Sequence, residues 1–175
     1  MLAKSLSGST EVFLNTDDLI ISKTDLKGRI TYANRTFMRI AGFDEEDLLH
    51  QPHNMIRHPD MPKGIFKFLW QELRQGHEFF GFVKNYTADH GFYWVFANIT
   101  PDFDSAGHVQ GYFSVRRRPS LDAIKTIESI YQKMIGIERR CSKANACTHS
   151  LAFLDQILES KQVSYERFVM QLQAL

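Results

Sequence analysis

Asn54-Met55-Ile56-Arg57-His58-Pro59-Asp60-Met61-Pro62 stands between two short strand-like runs upstream and a helix with three more strand-like runs downstream. Its two prolines restrict the backbone, and Arg57, His58 and Asp60 carry too much charge for a core. The segment reads as a rigid polar lip held beside a pocket by the helix that follows. That helix is predicted over Lys63 to Gln75, with Ile65, Phe66, Leu69, Trp70 and Leu73 on one face, Pro62 opening it and Gly76 stopping it.

Upstream, Leu19–Lys23 and Arg29–Ala33 flank an Asp25-Leu-Lys-Gly28 turn and predict a hairpin. Asn34 sits where a helix cap belongs, ahead of Phe37, Met38, Ile40 and Ala41 at helical spacing, and Gly42 ends that helix. Asp44 caps a further short turn to His50. Downstream, Glu78–Thr87, Gly91–Thr100 and Val109–Arg117 read as three antiparallel strands. The order implies an α+β domain with a five-stranded antiparallel sheet and short helices on one side. Residues 1–15 read as a mobile or weakly helical cap.

From Pro119 the pattern is helical. Leu121, Ile124, Ile127, Ile130, Tyr131 and Met134 form one apolar stripe, and Leu151, Leu154, Ile157, Leu158, Phe168, Val169 and Leu172 a second. Glycine is absent after Gly136, which predicts a long helix or a helix hairpin. Such stripes must be buried, either on the chain's own sheet or against a partner, including a second copy.

Composition narrows the function classes. At 43% hydrophobic and 23% charged residues, the 175-residue chain is ordinary globular material rather than disordered. A net charge of +1 supplies no basic excess for nucleic acid. The N-terminal residues lack the apolar core of a secretory signal, no run is long enough to span a bilayer, and two late cysteines fit a reducing compartment. A cytoplasmic protein is expected. Cys141, Cys147 and His149 match no zinc spacing and read as buried helix cysteines beside an unrelated histidine. No catalytic constellation is present, so no enzyme is expected.

The block from Ile30 to Pro119 resembles the flavin-binding PAS domain of bacterial aerotaxis receptors. The matching stretches are Ile30-Thr-Tyr-Ala-Asn34, Ala41-Gly-Phe43, Gln51-Pro-His-Asn-Met-Ile-Arg-His-Pro-Asp-Met-Pro62, Trp70, Gly81-Phe-Val-Lys-Asn85, Tyr93-Trp-Val95, Pro101 and Gly111-Tyr-Phe-Ser-Val-Arg116. The resemblance implies a PAS sensor over 16–119 that holds FAD without a covalent bond. Residues 120–175 would form a helical signalling or dimerisation extension. Arg57, His58 and Asp60 would surround the ribityl-phosphate side, Trp70 would stack nearby, and Asn34, Asn85 and Trp94 would line the cavity. The chain departs from the pattern at Phe79, where many relatives have Trp, and at Phe80, where they have a small residue.

The chemistry of these residues fits a flavin, with a plainer reading beside each. An Asn amide offers a donor and an acceptor in one plane for the pyrimidine edge of an isoalloxazine. Asn85 and Asn98 share a face if the register allows, or else cap turns; Asn34 is equally a helix cap. Arg57 suits a phosphate through its planar fork, or simply pairs with Asp60. Trp70 and Trp94 pack in the core whatever else they touch. A photoadduct flavin domain would need a cysteine over the ring, and none precedes Cys141. Haem is the rival cofactor, with His50, His53, His58 and His77 as axial candidates, and a cofactor-free interaction module is the third reading. The membrane anchor and methyl-accepting module of aerotaxis receptors are missing from this chain. Redox change at FAD, felt first by Asn85, is therefore expected to pass through the helix from Leu121 to a downstream signalling partner.

Overall fold

The structure, a computed structural model, describes residues 10–174. Five antiparallel strands, β1 (Leu19–Asp25), β2 (Ile30–Ala33), β3 (Phe79–Tyr86), β4 (Phe92–Phe103) and β5 (Val109–Arg117), lie in the spatial order β2-β1-β5-β4-β3. Between β2 and β3 the chain forms α1 (Arg35–Ala41), α2 (Glu45–Leu48), a 3-10 turn at His53–Ile56 and α3 (Lys63–Arg74). After β5 come α4 (Leu121–Arg140), α5 (Ala146–Lys161) and α6 (Tyr165–Ala174). This is the expected α+β architecture, a PAS-type sheet followed by C-terminal helices.

Local chemistry accounts for the turns. The Asp25 Oδ1 accepts from the Lys27 and Arg29 amides at 2.8 and 2.9 Å, and Gly28 takes the left-handed conformation that closes the hairpin. Asn34 accepts from the Phe37 amide and caps α1, which ends at left-handed Gly42. Strand β4 runs three residues beyond the predicted Thr100, because Phe103 still pairs with Val109. The loop shrinks to Asp104–His108, with Asp104 Oδ1 accepting from the Ala106 and His108 amides.

Three expectations change toward the ends of the chain. Residues 1–9 lie outside the described residues, but 10–15 are extended rather than helical. Glu11 bridges to Phe92, and the Val12 amide donates to the Phe92 carbonyl at 2.8 Å. The tail forms three helices, because Gln162 adopts a left-handed conformation and breaks the second stripe. Cys141 and Cys147 are half-buried rather than buried, and the Cys141 Sγ lies 3.1 Å from His149 Nδ1.

Both faces of the sheet are covered. One faces α1, α2 and α3; the other is covered by α4, which buries Ala123, Ile127, Ile130, Tyr131 and Met134. The Tyr131 ring lies 6.3 Å from Trp94 and its hydroxyl donates to the Phe82 carbonyl at 2.9 Å. Of the first tail stripe, Ile127, Ile130, Tyr131 and Met134 are therefore buried within the chain itself, Ile124 is half-buried and Leu121 stays exposed. If α4 is part of one folding unit with the sheet, Ile127→Ala removes a fully buried side chain and lowers stability by about 2–4 kcal/mol. Denaturant unfolding, followed by both Trp fluorescence and helicity, then remains a single transition with a lower midpoint. Two separate transitions would contradict that unit.

Candidate functional site

Side-chain alternation along the strands selects what faces the interior on the α3 side. Thr24 and Ser22 from β1, Val83 and Asn85 from β3, Ala97 and Ile99 from β4, and Tyr112, Ser114 and Arg116 from β5 all reach one cavity of about 180 Å³. Leu69, Trp70, Leu73 and Phe66 of α3 form its opposite wall, and His53, Asn54 and Arg57 close one side. Helix α3 has its apolar stripe turned toward the sheet, and the Pro-stiffened 57–62 segment is pinned at the β3 edge. There Arg57 bridges Asn85, and the His58 amide donates to the Lys84 carbonyl.

Arg116 dominates the electrostatics. It is 2% exposed. One terminal nitrogen donates to the Ser22 Oγ at 2.6 Å, and its guanidinium lies 4.4 Å from the Phe37 ring centroid. Its Nε and remaining terminal nitrogen have no partner, and neither does the Ser114 Oγ, the Tyr93 hydroxyl or the Arg57 Nε. Burial lowers the Arg116 pKa to about 10, leaving it charged at neutral pH. A buried cation with unpaired donors costs several kcal/mol. Such strain marks a place built for an acceptor-rich group.

The neighbouring groups follow the same field. His53 sits 3.3 Å from Ser22 Oγ, and burial, reinforced by Arg116, holds its pKa down at about 3. Burial raises the Tyr93 hydroxyl to about 12, against the pull of Arg116. The Arg57 guanidinium lies over the Phe66 ring, 3.4 Å from its centroid.

Three of the residues singled out from the sequence, Arg57, Trp70 and Asn85, line this cavity together. The other five do not. Asn34 directs its side chain to the backbone, accepting from the Ile21 and Phe37 amides and donating to the Leu19 carbonyl. Asn98 pairs with Phe80 across the ladder and lies on the opposite sheet face, where it donates to Glu78 at 2.9 Å. Trp94, also on that face, packs on Tyr131 of α4.

His58 and Asp60 turn the same way. The His58 ring lies 4.4 Å from Tyr86, and its Nδ1 accepts from the Asp60 amide. Burial and the Lys84 ammonium lower its pKa, opposed by Asp60. Asp60, about half exposed, pairs with Lys84 at 2.8 Å. Although burial alone would raise its pKa, that hydrogen bond and charge hold it below the usual carboxylate range. Arg57 is in extended backbone, so His58 next to it points the other way, and the turn from His58 to Met61 then carries Asp60 to the Lys84 side.

Phe79 and Phe80 do not line the cavity. Phe79 stacks on Tyr165 of α6, and Phe80 on Phe96 across the far face. The sequence reading passed over Arg116, Ser22, Ser114 and Tyr93, and treated His53 only as a haem candidate. In β5 the usable signal was polar alternation at Ser114 and Arg116. It was masked because Phe113 and Val115, the apolar set, look like the inward one.

The PAS fold family model matches residues 30–116. Over 118 residues, 67% of the chain, the sequence is 41% identical to the aerotaxis receptor of Escherichia coli (strain K12), spanning 23% of that protein. It is 34% identical over 55% of the chain to a nitrogen fixation regulatory protein of Klebsiella pneumoniae, spanning 20% of it. Among solved structures, the light state of the blue-light photoreceptor Aureochrome1 LOV superposes with a TM-score of 0.56. That match covers 63% of this chain and 88% of that one, at 20% identity, and speaks for the fold alone. No described helix is long and apolar enough to cross a membrane. Strand order, motif and relatives agree: this chain belongs to the PAS family, with its PAS domain centred on residues 30–116.

Proposed function

We propose that this chain is a redox-responsive sensor that holds FAD non-covalently in the cavity and passes the flavin's state to a downstream signalling partner. The observation that carries this reading is the unpaired Arg116 guanidinium, buried among the orphaned Ser114, Tyr93 and Arg57 donors. A flat heteroaromatic with carbonyl acceptors and an N–H edge fits between the apolar α3 wall and the Val83, Ala97 and Ile99 floor. The resemblance to aerotaxis receptors supports FAD in particular. It also supports sensing rather than catalysis, and a cytoplasmic site of action.

When bound, the flavin would supply reversible electron uptake. Asn85 offers its amide to the ring edge as both donor and acceptor. Arg116 projects positive potential into the cavity and so favours the more negative state of whatever lies there. Arg57, over Phe66 and lining the cavity, would offer its fork to a phosphate. His53 stays neutral at physiological pH and can accept or donate without adding charge.

Strand β3 supplies a relay by alternation. Asn85 faces the cavity, while adjacent Lys84 faces α4, 3.9 Å from Glu128 and 4.3 Å from the Phe92 ring centroid. A change in hydrogen bonding at Asn85 thus shifts the strand that anchors α4. The resulting bias on tail packing is the proposed output.

The purified full chain is expected to show flavin absorption bands, whereas a sharp Soret band would favour haem with His53, the one haem candidate lining the cavity. Arg116→Met is expected to weaken FAD binding by roughly 10- to 100-fold, from the loss of charged hydrogen bonds, while leaving the ligand-free fold as stable or more so. Asn98→Ala and Asp60→Ala, outside the cavity, are expected to hold FAD within about threefold of wild type. Titration by flavin fluorescence quenching checks all three; an unchanged affinity in Arg116→Met would sink this assignment.

Acid sensitivity gives a separate check. His53 has a folded pKa near 3 against about 6.5 unfolded. The unfolded chain therefore binds the extra proton first as pH falls. The stability that neutral His53 contributes is complete above about pH 6.5 and declines toward pH 3, at no more than about 1.4 kcal/mol per pH unit. Denaturant midpoints between pH 7 and 4 should fall less steeply in His53→Gln than in wild type.

A further inference from the structure

Helix α3, one wall of the cavity, has no side-chain cap of its own, because Pro62 occupies the cap position. Its first free amides are instead met from far along the chain. The Glu138 carboxylate, near the end of α4, accepts from the Lys63 amide at 3.0 Å and from the Gly64 amide at 2.8 Å. Ser150 of α5, fully buried, donates to the same carboxylate at 2.8 Å. Gly64 is what allows this approach, since a methyl group there would collide with the Ser150 hydroxyl. An anionic group on exposed helix amides is favoured by both hydrogen bonding and the helix dipole.

The tail grips the same wall a second time. Tyr165, opening α6, inserts edge-on against Phe68 of α3 at 4.9 Å and stacks on Phe79 of β3 at 5.8 Å. A side chain on Gly81 would strike both Phe79 and the Tyr165 hydroxyl. Gly81 pairs with Ala97, which lines the cavity, so Tyr165 fills the space just beyond the cavity's end.

We propose that the tail is a strap on the cavity wall: Glu138 latches the start of α3, Tyr165 wedges its middle against β3, and strap closure is coupled to cavity occupancy. With the strap closed, α3 is already ordered against the sheet, so a ligand meets a preformed wall and binds more tightly. By reciprocity, a ligand that draws α3 inward tightens the strap, and one that pushes it outward releases α5 and α6. The strap stands on intramolecular geometry. Only its ligand arm rests on the FAD reading above.

Glu138→Gln, which keeps size and one acceptor but removes the charge, tests the latch in the ligand-free full chain. Hydrogen exchange should quicken together in residues 63–69 and 146–154, while β4 and β5 keep their protection. In a Trp94→Phe background Trp70 is the remaining tryptophan, and its quenching by acrylamide should rise in Glu138→Gln. Gly64→Ala, which pushes Ser150 away without altering charge, should reproduce both changes. FAD affinity should fall about fivefold in either variant. Unaltered exchange in 63–69 and unaltered Trp70 quenching would overturn the strap. Wild-type protein that ignores FAD would overturn the flavin reading alone, because the exchange and quenching outcomes do not involve ligand. If exchange loosens but wild-type FAD affinity survives unchanged in both variants, the coupling is overturned.

Discussion

The alternation of side chains along β3 and β4, in a sheet covered on both faces, governs the rest of this molecule. A two-residue period sends Val83 and Asn85 into the cavity and Phe82 and Lys84 toward α4. The ladder then forces the partner strand to agree: Lys84 opposes Trp94, and Asn85 opposes Tyr93. In the middle of these strands, substitutions at Val83 and Asn85 are cavity changes and those at Lys84 and Trp94 are tail changes. Neighbouring positions carry the connection between the two faces.

That division lets one small domain keep two buried polar systems apart. On the cavity side, Arg116 lacks a carboxylate and sits with donors unmet, an arrangement that costs stability and is useful only if something accepts those bonds. On the α4 side, Lys84 is just as buried but is neutralised by Asp60 and flanked by the Phe92 and Trp94 rings. The contrast matters for function. The satisfied lysine behaves as a structural strut, whereas the unsatisfied arginine behaves as half of an interaction.

The tail completes the protein's secondary structure as well as its surface. Two amides of α3 find their acceptor only in Glu138, and the Phe82 carbonyl at the edge strand finds its donor in Tyr131. Helices that satisfy the backbone of the sheet layer and of the cavity wall cannot move without leaving those groups exposed or unpaired. These bonds fix the tail on the PAS core more specifically than apolar packing alone would.

Much of the architecture was legible from the chain itself. Asn34, Gly42 and the Asp25–Gly28 turn announce their caps and turns through local chemistry, and the α3 stripe and five strand runs set the layer order. Arg57, Trp70 and Asn85 line the cavity, but what each would do for a ligand came from the resemblance and not from the chain's own pattern. Register and chain reversal were invisible. Asn98 lies one face away from Asn85, and the extended backbone at Arg57 followed by the His58–Met61 turn directs His58 and Asp60 away from the cavity that Arg57 lines. Arg116 hid behind apolar Phe113 and Val115, since β5 inverts the usual pattern: its polar Ser114 and Arg116 are buried while the apolar pair is only half-buried. The Glu138 cap joins residues 75 positions apart. Local sequence determines which groups need partners; only the tertiary fold decides which distant groups are brought close enough to meet that need.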